Sequence, residues 1–428
     1  MLNTITNEIG LPSGCEAATA WDPRGNLPEG RRARARRKVD EQQMTVVVVR
    51  DADALAGYVE DWDDLAASSV EPNIFYESWM MLPALRLLAG GGVTVALVVA
   101  RDMLNPSGAQ ILCGLFPLES SRSYRGIPVK ARRLWKHLHC YLCTPLVRAE
   151  GARATLSTFF EWLASTSDEA PLMEFTSIAG EGPFRRLLVD HLNERARLHF
   201  TSDSFTRPMF LPASDAASYL REVLSCKHRS DLKRKEKRLA ELGRVEYVSL
   251  EASPEASPEA GDDLNRWVED FLRLEASGWK GRGGSAFMCD ESEAKFFASA
   301  MASGFREGRL RMFALRLDGR AIAQQVYLLA GRGAFAFKIA FDESYGRFSP
   351  GMLLEVRRIE RLHSGREVEW MDSCAAPGNC LSNVWPGRRI IETLLVGAGN
   401  GRGDFIISLM PLLRWLRRKS PFRRSVAR

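Results

Sequence analysis

The sequence predicts an α/β protein made of two tandem units, each a mixed, largely antiparallel sheet flanked by helices. Apolar strand-like and helix-like segments alternate through the first half, and the same plan returns in the second half. Three consecutive strand-like runs in the second half predict an antiparallel meander. A length of 428 residues suits two domains better than one.

The first unit begins with the valine run at 46–49, a β-branched segment typical of a strand. The segments that follow alternate in the same way. We predict helices at 53–67, 74–88, 154–165 and 183–195, and strands at 93–100, 111–118, 173–178 and 198–202.

The second unit contains the clearest local signal, the dipeptide Asp318-Gly319 between two apolar runs, which predicts a two-residue hairpin turn. The surrounding segments follow the plan of the first unit. We predict helices at 216–242, 262–277 and 291–307, and strands at 245–250, 310–317, 321–329, 334–341 and 368–371.

These elements place the two domains at 44–212 and 213–402. Residues 1–43 lack apolar periodicity and are predicted to be a disordered tail, so that Met44 could be the true start. Residues 403–428 form a basic, amphipathic, Trp-bearing tail. It is predicted either to dock on the protein or to contact an anionic membrane from the cytoplasmic side.

Charge and cysteine content narrow the class of protein. The net charge is +6, with basic clusters at 31–38, 227–238 and after 411, which suit anionic partners. No apolar run reaches the roughly 20 residues that span a bilayer. Eight scattered cysteines and a polar beginning predict a cytoplasmic protein with reduced thiols.

A candidate anion site follows the meander. Ser349 suits a helix N-cap, Pro350 the first helical position, and Gly351 leaves the backbone open to close approach. The N–H groups of this helix start, its dipole and the nearby Arg347 could hold a pyrophosphate.

Strand, Arg-x-x-Pro-Gly and helix together resemble the donor loop of GNAT acyltransferases, which usually reads Gln/Arg-x-x-Gly-x-Gly/Ala. The sequence departs from that pattern at Pro350 and Met352. The resemblance implies acetyl-CoA, or another acyl-CoA, as co-substrate and no metal. It assigns donor binding to Arg347, Ser349, Gly351 and Met352.

Flanking motifs resemble a narrower group, the CelD-like polysaccharide-biosynthesis acetyltransferases, relatives of the FemAB aminoacyltransferases. These motifs are FLRLEASGWKG (271–281), FKIAFDESY (337–345), SPGMLL (349–354), DSCA (372–375) and WPGRR (385–389). The resemblance implies acyl transfer to an amine or hydroxyl of a sugar, polysaccharide precursor or lipid-linked acceptor. Trp279 and Lys280 are then expected to bind the acceptor.

The expected chemistry is direct attack of the acceptor on the thioester. A carboxylate must accept a proton, and the candidates are Glu275, Asp342 and Asp372, in that order. Lys338 could place a positive charge near a phosphate or oxyanion. In this family the oxyanion accepts hydrogen bonds from backbone N–H groups of a splayed strand, which here would be 335–341.

The basic helix at 227–238 leaves an alternative open. Arg229 and Arg234 could contact donor phosphates, or the helix could bind tRNA in a FemAB-type aminoacyl-tRNA-dependent transferase. A third interpretation is a catalytically degenerate scaffold in envelope or polysaccharide assembly, which the Pro350 departure allows.

The segment HLHCYLC (137–143) has the residue types of a metal site but no second matched pair. Its alternation predicts a strand with one polar face, which could line the cleft between the two halves and meet the acceptor.

Overall fold

The computed structural model describes residues 38–104, 109–251, 258–365, 368–399 and 401–419. The predicted tail up to residue 37 lies outside the described residues. The first strand starts at Val39, five residues before the predicted start of the folded part at Met44.

The first half follows the predicted alternation of helices and strands. Its strands are β1 (Val39–Val49), β2 (Val93–Asp102), β3 (Gln110–Ser121), β4 (Ala131–Leu134), β5 (Leu146–Val147), β6 (Leu172–Ala179) and β7 (His199–Phe210). Its helices are α1 (Ala52–Ala56), α2 (Val59–Ala67), α3 (Ser78–Leu88), α4 (Ala152–Ser165) and α5 (Pro183–Glu194).

The second half follows a similar order after two additional helices, but within the described residues no α-helix separates its last two strands. Its helices are α6 (Ala216–Val223), α7 (Cys226–Ala240), α8 (Pro258–Ser277), α9 (Trp279–Arg282), α10 (Glu291–Arg306), α11 (Pro350–Gly365) and α12 (Gly401–Lys419). Its strands are β8 (Val245–Glu251), β9 (Leu310–Leu317), β10 (Arg320–Ala330), β11 (Gly333–Phe341), β12 (Trp370–Asp372) and β13 (Gly387–Gly397).

The predicted meander and its turn are confirmed. Strands β9, β10 and β11 pair antiparallel in sequence. Asp318 and Gly319 adopt φ angles of 49° and 77°, the left-handed values that this hairpin turn requires.

The described strands form one sheet in the order β1-β2-β3-β4-β6-β13-β7-β12-β11-β10-β9-β8, with β5 paired to β3. Most neighbours are antiparallel, and β4–β6 and β11–β12 are parallel. The α/β class with largely antiparallel, helix-flanked halves is therefore confirmed.

The two halves exchange their last strands within this sheet. Strand β13, near the end of the chain, lies between β6 and β7 of the first half and pairs with both. Strand β7 in turn pairs with β12 of the second half. The sheet therefore continues across the predicted boundary at residue 212.

The helix α12 packs against the sheet through one side. Ile407 and Met410 are buried in a cluster with Leu172 and Leu395. Phe405 and Leu412, by contrast, are 65% and 52% exposed. No helix within the described ranges combines the length and apolar character needed to cross a membrane.

Candidate functional site

A cleft opens where β11 and β12 separate. The two strands pair in parallel only from Gly333↔Trp370 to Phe335↔Asp372, after which β12 ends and β11 continues to Phe341. The cleft has a volume of about 530 Å³ and is lined by 336–341 on one side and 373–375 on the other. The predicted splayed strand is thus a wall of this cleft.

A β-bulge shapes that wall. The register between β10 and β11 shifts at Val326/Tyr327, where Val326 opposes Lys338 and Tyr327 opposes Ala336. Phe337 is therefore the extra residue. Bulges re-aim neighbouring side chains, and this one lies directly before Lys338.

One end of the cleft is the start of α11. Pro350, Gly351 and Met352 all line the cleft. The carbonyl of Ser349 accepts hydrogen bonds from the N–H groups of Met352 and Leu353, both at 3.0 Å. Pro350 has no N–H, so Gly351 supplies the N–H donor of this first turn, and the helix end presents that donor and a positive dipole to the cleft.

Ser349 and Gly351 at this helix start each have surroundings that the sequence did not predict. The hydroxyl of Ser349 accepts a hydrogen bond from Lys235 Nζ at 3.0 Å, which ties α7 to the cleft. A Cβ on Gly351 would lie 3.6 Å from Ile339 Cδ1, an ordinary contact. Gly351 therefore leaves backbone uncovered but has room for a methyl group.

The opposite end of the cleft is formed by the junction of α8 and α9. Glu275 is buried, and its carboxylate accepts hydrogen bonds from Lys280 Nζ at 2.7 Å and from Phe287 N at 3.0 Å. Trp279 lies at the rim with 61% of its surface exposed. Glu275, Trp279 and Lys280 therefore lie together at this end of the cleft.

Lys338 lies between these two ends. Its amine donates to Tyr141 Oη at 2.7 Å, lies 3.0 Å from His139 Nδ1, and faces the ring of Phe287 at 4.8 Å. Burial, followed by the charge of Lys280, lowers the pKa of Lys338 to about 7. It is thus not a snorkelling surface lysine.

The residues around Lys338 include a loop of the first half. Residues 137–143 were predicted to be a strand, and this is wrong: they form a loop held by Asn73, whose amide donates to the carbonyls of Leu142 and Thr144. His139 is buried in this loop, and Tyr141 lines the cleft.

Two predicted carboxylates are engaged away from the cleft. Asp342 accepts hydrogen bonds from the N–H and hydroxyl of Ser344 and pairs with Arg320 at 3.0 Å. Asp372 is fully buried between Arg207 and Arg389, at 2.6 and 2.9 Å. Burial alone would raise the pKa of Asp372, but the two guanidinium charges hold it below its usual value.

The three predicted arginines also lie outside the cleft lining. Arg347 is exposed, with its guanidinium 4.7 Å from the ring of Phe348. Arg229 donates to backbone carbonyls at the end of α6, among them that of Leu224. Arg234 pairs with Asp231 on the surface of α7.

A buried polar group in the cleft wall was not predicted. Glu355 lines the cleft, pairs with Arg358, and accepts hydrogen bonds from Trp385 Nε1 at 2.7 Å and Gln325 Nε2 at 3.2 Å. The signal that could have found it is the i,i+3 pair Glu355–Arg358 within the apolar stripe of α11.

The cysteines of the 137–143 loop lie close together, with 3.7 Å between the Sγ atoms of Cys140 and Cys143. Within the part of the chain that the structure describes, no cluster of three or more His, Cys, Asp or Glu side chains has the arrangement of a metal site.

Comparison with protein families finds one match to this region. Residues 226–379 match the family described as Acetyltransferase (GNAT) domain. The matched segment runs from α7 past β12 and includes the residues of the second half that line the cleft up to Asn379. No curated protein matches the sequence.

Solved structures with similar folds include three with related titles. FemX is 9% identical over 82% of this chain and 98% of its own, with a TM-score of 0.49. L-PGS from Bacillus licheniformis is 11% identical over 86% and 98%, with a TM-score of 0.41. A tandem GNAT protein from the clavulanic acid biosynthesis pathway is 13% identical over 84% and 100%, with a TM-score of 0.40.

The class of protein follows from the family match and the cleft. The matched domain is an acetyltransferase domain, and its parallel strands separate at the cleft described above. The chain therefore contains a segment that matches a GNAT acetyltransferase domain, and this match supports an acyltransferase.

Proposed function

We propose that the protein transfers an acyl group, with acetyl-CoA as the donor, to an amine or hydroxyl on a sugar, polysaccharide precursor or lipid-linked acceptor. The observation that carries the proposal is a single cleft with a helix N-terminus at one end and Lys338 between the diverging strands. The first suits a phosphate-bearing donor, and the second suits proton transfer at the reacting carbonyl.

The donor would enter at the start of α11. Its pyrophosphate would accept a hydrogen bond from the N–H group of Gly351, beside the Ser349 hydroxyl and the amine of Lys235. The pantetheine arm would lie between β11 and β12. Its thioester oxygen would then face the free edge of β11 beyond Phe335, where backbone N–H groups could stabilise an oxyanion.

Lys338 would carry the proton of the reaction. With a pKa of about 7, a large fraction of its amine is neutral at physiological pH and can accept a proton. The acceptor nitrogen or oxygen forms a bond to the carbonyl carbon, the carbon–sulfur bond breaks, and the proton passes through Lys338 to the leaving thiolate. Glu275 would hold Lys280, whose charge keeps the pKa of Lys338 low.

Trp279 and Lys280 would bind the acceptor. Trp279 offers an exposed indole at the rim, and Lys280 presents an amine just inside it. The motifs at 271–281 and 337–345 that resemble the CelD-like group support a sugar-containing acceptor. Both motifs line this end of the cleft.

A second candidate, a FemAB-type aminoacyl-tRNA-dependent transferase, has one specific observation in its favour. The basic helix α7 reaches the cleft through the Lys235–Ser349 hydrogen bond. A polyanionic donor could lie along α7 with its reactive end in the same cleft. Loss of tRNA binding on Lys233→Glu/Lys237→Glu, with acetyl-CoA binding absent, would favour this candidate.

Contact with an anionic membrane from the cytoplasmic side would place the enzyme near a lipid-linked acceptor. Phe405, Leu412 and Trp415 project from α12 with 65%, 52% and 51% of their surfaces exposed, while Ile407 and Met410 dock the helix. Basic residues follow in the sequence. Phe405→Ser/Leu412→Ser should reduce sedimentation with phosphatidylglycerol vesicles, and unchanged sedimentation would exclude the contact.

The first test of the proposed function is calorimetric titration of acetyl-CoA into the full chain. Wild type should bind with micromolar affinity. Gly351→Asp should abolish binding, because its carboxylate would repel the pyrophosphate at the helix start. Gly351→Ala is the matched control and should bind normally, since a Cβ there makes only ordinary contacts. Absence of binding to wild type would refute coenzyme A as donor.

A further inference from the structure

We propose that Glu293 and His139 are positioning residues that hold the amine of Lys338 and stabilise its charge when it takes up a proton. The first half of the chain would then supply part of the active site of the second half. This inference rests on the proposed function, in which Lys338 carries the proton.

The three side chains form a line. Lys338 Nζ lies 3.0 Å from His139 Nδ1, and His139 Nε2 lies 3.4 Å from Glu293 Oε2. The second distance is longer than a usual hydrogen bond, so Nε2 has no hydrogen-bond partner among the described residues. Tyr141 holds the same amine from the other side at 2.7 Å.

The protonation state of His139 decides which of its ring nitrogens accepts a hydrogen bond and which donates one. Burial, and then the charge of Lys338, lowers the pKa of His139 to about 2, so the ring is neutral at physiological pH. A neutral ring carries one N–H. Since Nδ1 faces the amine donor, the proton belongs on Nε2, where it faces the carboxylate of Glu293.

Glu293 differs from its neighbour Glu291 on the same helical turn. Both follow Asp290, the N-cap of α10, and both could interact with the helix dipole. Glu291 is exposed and pairs with Lys295, whereas the side chain of Glu293 is 22% exposed and is directed at His139. The dipole alone does not explain that orientation.

Lys338 has several other titratable groups around it, which must be compared with Glu293 as partners for its charge. Titratable groups face its amine from α8, α9, α10, the segment after β12 and the 137–143 loop: Glu275, Lys280, Glu293, Cys374, His137, His139 and Tyr141. Glu275 is already paired with Lys280 at 2.7 Å. Glu275 raises the pKa of Lys338 more than Glu293 does, so Glu293 is the second carboxylate that can balance a charge on Lys338, and it reaches the amine through His139.

The test measures the proton affinity of Lys338 directly. The full chain is labelled with trace acetic anhydride across pH 5 to 11, and acetylation of the peptide that contains Lys338 is followed by mass spectrometry. In wild type the midpoint should lie near 7, far below that of exposed lysines. Glu293→Gln should lower it by about one pH unit, because a negative charge that stabilises the ammonium is lost.

Glu291→Gln is the matched control and should leave the midpoint unchanged. Glu293→Asp, which retracts the carboxylate, should give a smaller shift in the same direction and serves if Glu293→Gln folds poorly. Equal midpoints in wild type and both Glu293 variants would overturn the proposal. The labelling uses no coenzyme A, so failed acetyl-CoA binding would refute the proposed donor and leave this result to be judged separately.

Discussion

Each half of the molecule contains a parallel strand pair, and the two halves differ in what lies beyond that pair. In the first half β4 and β6 pair over three positions, from Ala131↔Leu172 to Arg133↔Glu174. In the second half β11 and β12 do the same. The large cleft described above follows the second pair.

The space beyond the first pair is filled by the protein itself. After β4 the chain enters a loop in which Cys140, Leu142 and Cys143 are buried. The hydroxyl of Tyr76 donates to the carbonyl of Trp135 at 2.8 Å, and the N–H of Cys143 donates to the carbonyl of Ser177 at 3.0 Å. These bonds occupy backbone groups that a ligand would otherwise use.

The helix starts differ as well. A Cβ at Gly151, before α4, would lie 3.1 Å from Met44 and 3.2 Å from Val39, so β1 covers that end. Gly351 faces the cleft. In the first half the loop at 137–143 fills the space that is open in the second half. The same loop contacts the cleft of the second half through His139 and Tyr141.

The largest effect should come from Lys338 in the open half. Lys338→Met should lower kcat/KM for acyl transfer by about 10²–10⁴-fold, the contribution of a general base. Lys338→Arg should lose nearly as much, because arginine keeps the charge but cannot release its proton at neutral pH. Near-normal kcat/KM in Lys338→Arg would show that charge alone is needed.

The same measurement has a pH dependence. Since the pKa of Lys338 is about 7, the wild-type rate should fall as pH drops below 7 and the amine becomes protonated. A flat profile between pH 6 and 8 would argue against Lys338 as the base.

The next effect concerns the junction of the two halves. Arg389 bridges Asp372 and Glu71, both at 2.9 Å, and all three side chains are largely buried. Arg389→Met should lower the free energy of unfolding by about 3 kcal/mol or more, because it removes the ion-pair partner of the buried Glu71 and one of the two guanidinium groups that pair with Asp372. The measurement is urea denaturation. Its control, Arg388→Met, should change little, since Arg388 bonds mainly to carbonyls of 385–387.

A smaller loss is expected from the loop that fills the first half. Asn73→Ala removes the donors to the carbonyls of Leu142 and Thr144 and should cost about 2 kcal/mol. It should also displace the loop from Lys338 while acetyl-CoA binding is retained. Equal stability in urea would show that the loop is held by its apolar side chains instead.

The smallest predicted effect is the loss of folding stability per pH unit that His137 in this loop causes at acid pH. Burial, and then the charge of Lys338, lowers the pKa of His137 to about 3, against about 6.5 in an unfolded chain. As pH falls below 6.5 the unfolded chain takes up a proton that the folded protein excludes. His137 should therefore cost about 1.4 kcal/mol of stability per pH unit. Denaturation at pH 6.5 and 5 should show a shallower loss in His137→Phe; equal losses would contradict this.

The sequence predicted most helices and strands well, because each of them depends on residues that are close together in the chain. The Asp318-Gly319 turn and the meander were readable from turn chemistry and strand periodicity. The exchange of β7 and β13 was not readable. It depends on pairings between residues about 200 positions apart, such as Ile391↔Ala179, and no local pattern encodes them.

The candidate site was readable where a motif marked it. Ser349, Gly351, Met352, Glu275, Trp279, Lys280 and Lys338 line one cleft. Asp342, Asp372, Arg229, Arg234 and Arg347 do not, because a charged residue in sequence does not reveal which partner will engage it. Glu293 and Glu355 were missed for the same reason, since their partners come from distant segments.

The exchanged strand has a consequence for how the chain is made. Strands β6 and β7 both leave the ribosome early, yet the strand that lies between them ends at residue 397. At typical elongation rates that is a delay of roughly 10–40 s. Through that interval the edges of β6 and β7 that β13 joins are unpaired, and the native sheet forms only after residue 397 has been synthesised. The first half therefore cannot complete its native strand pairing before β13 of the second half has been synthesised, although the two halves repeat one architecture.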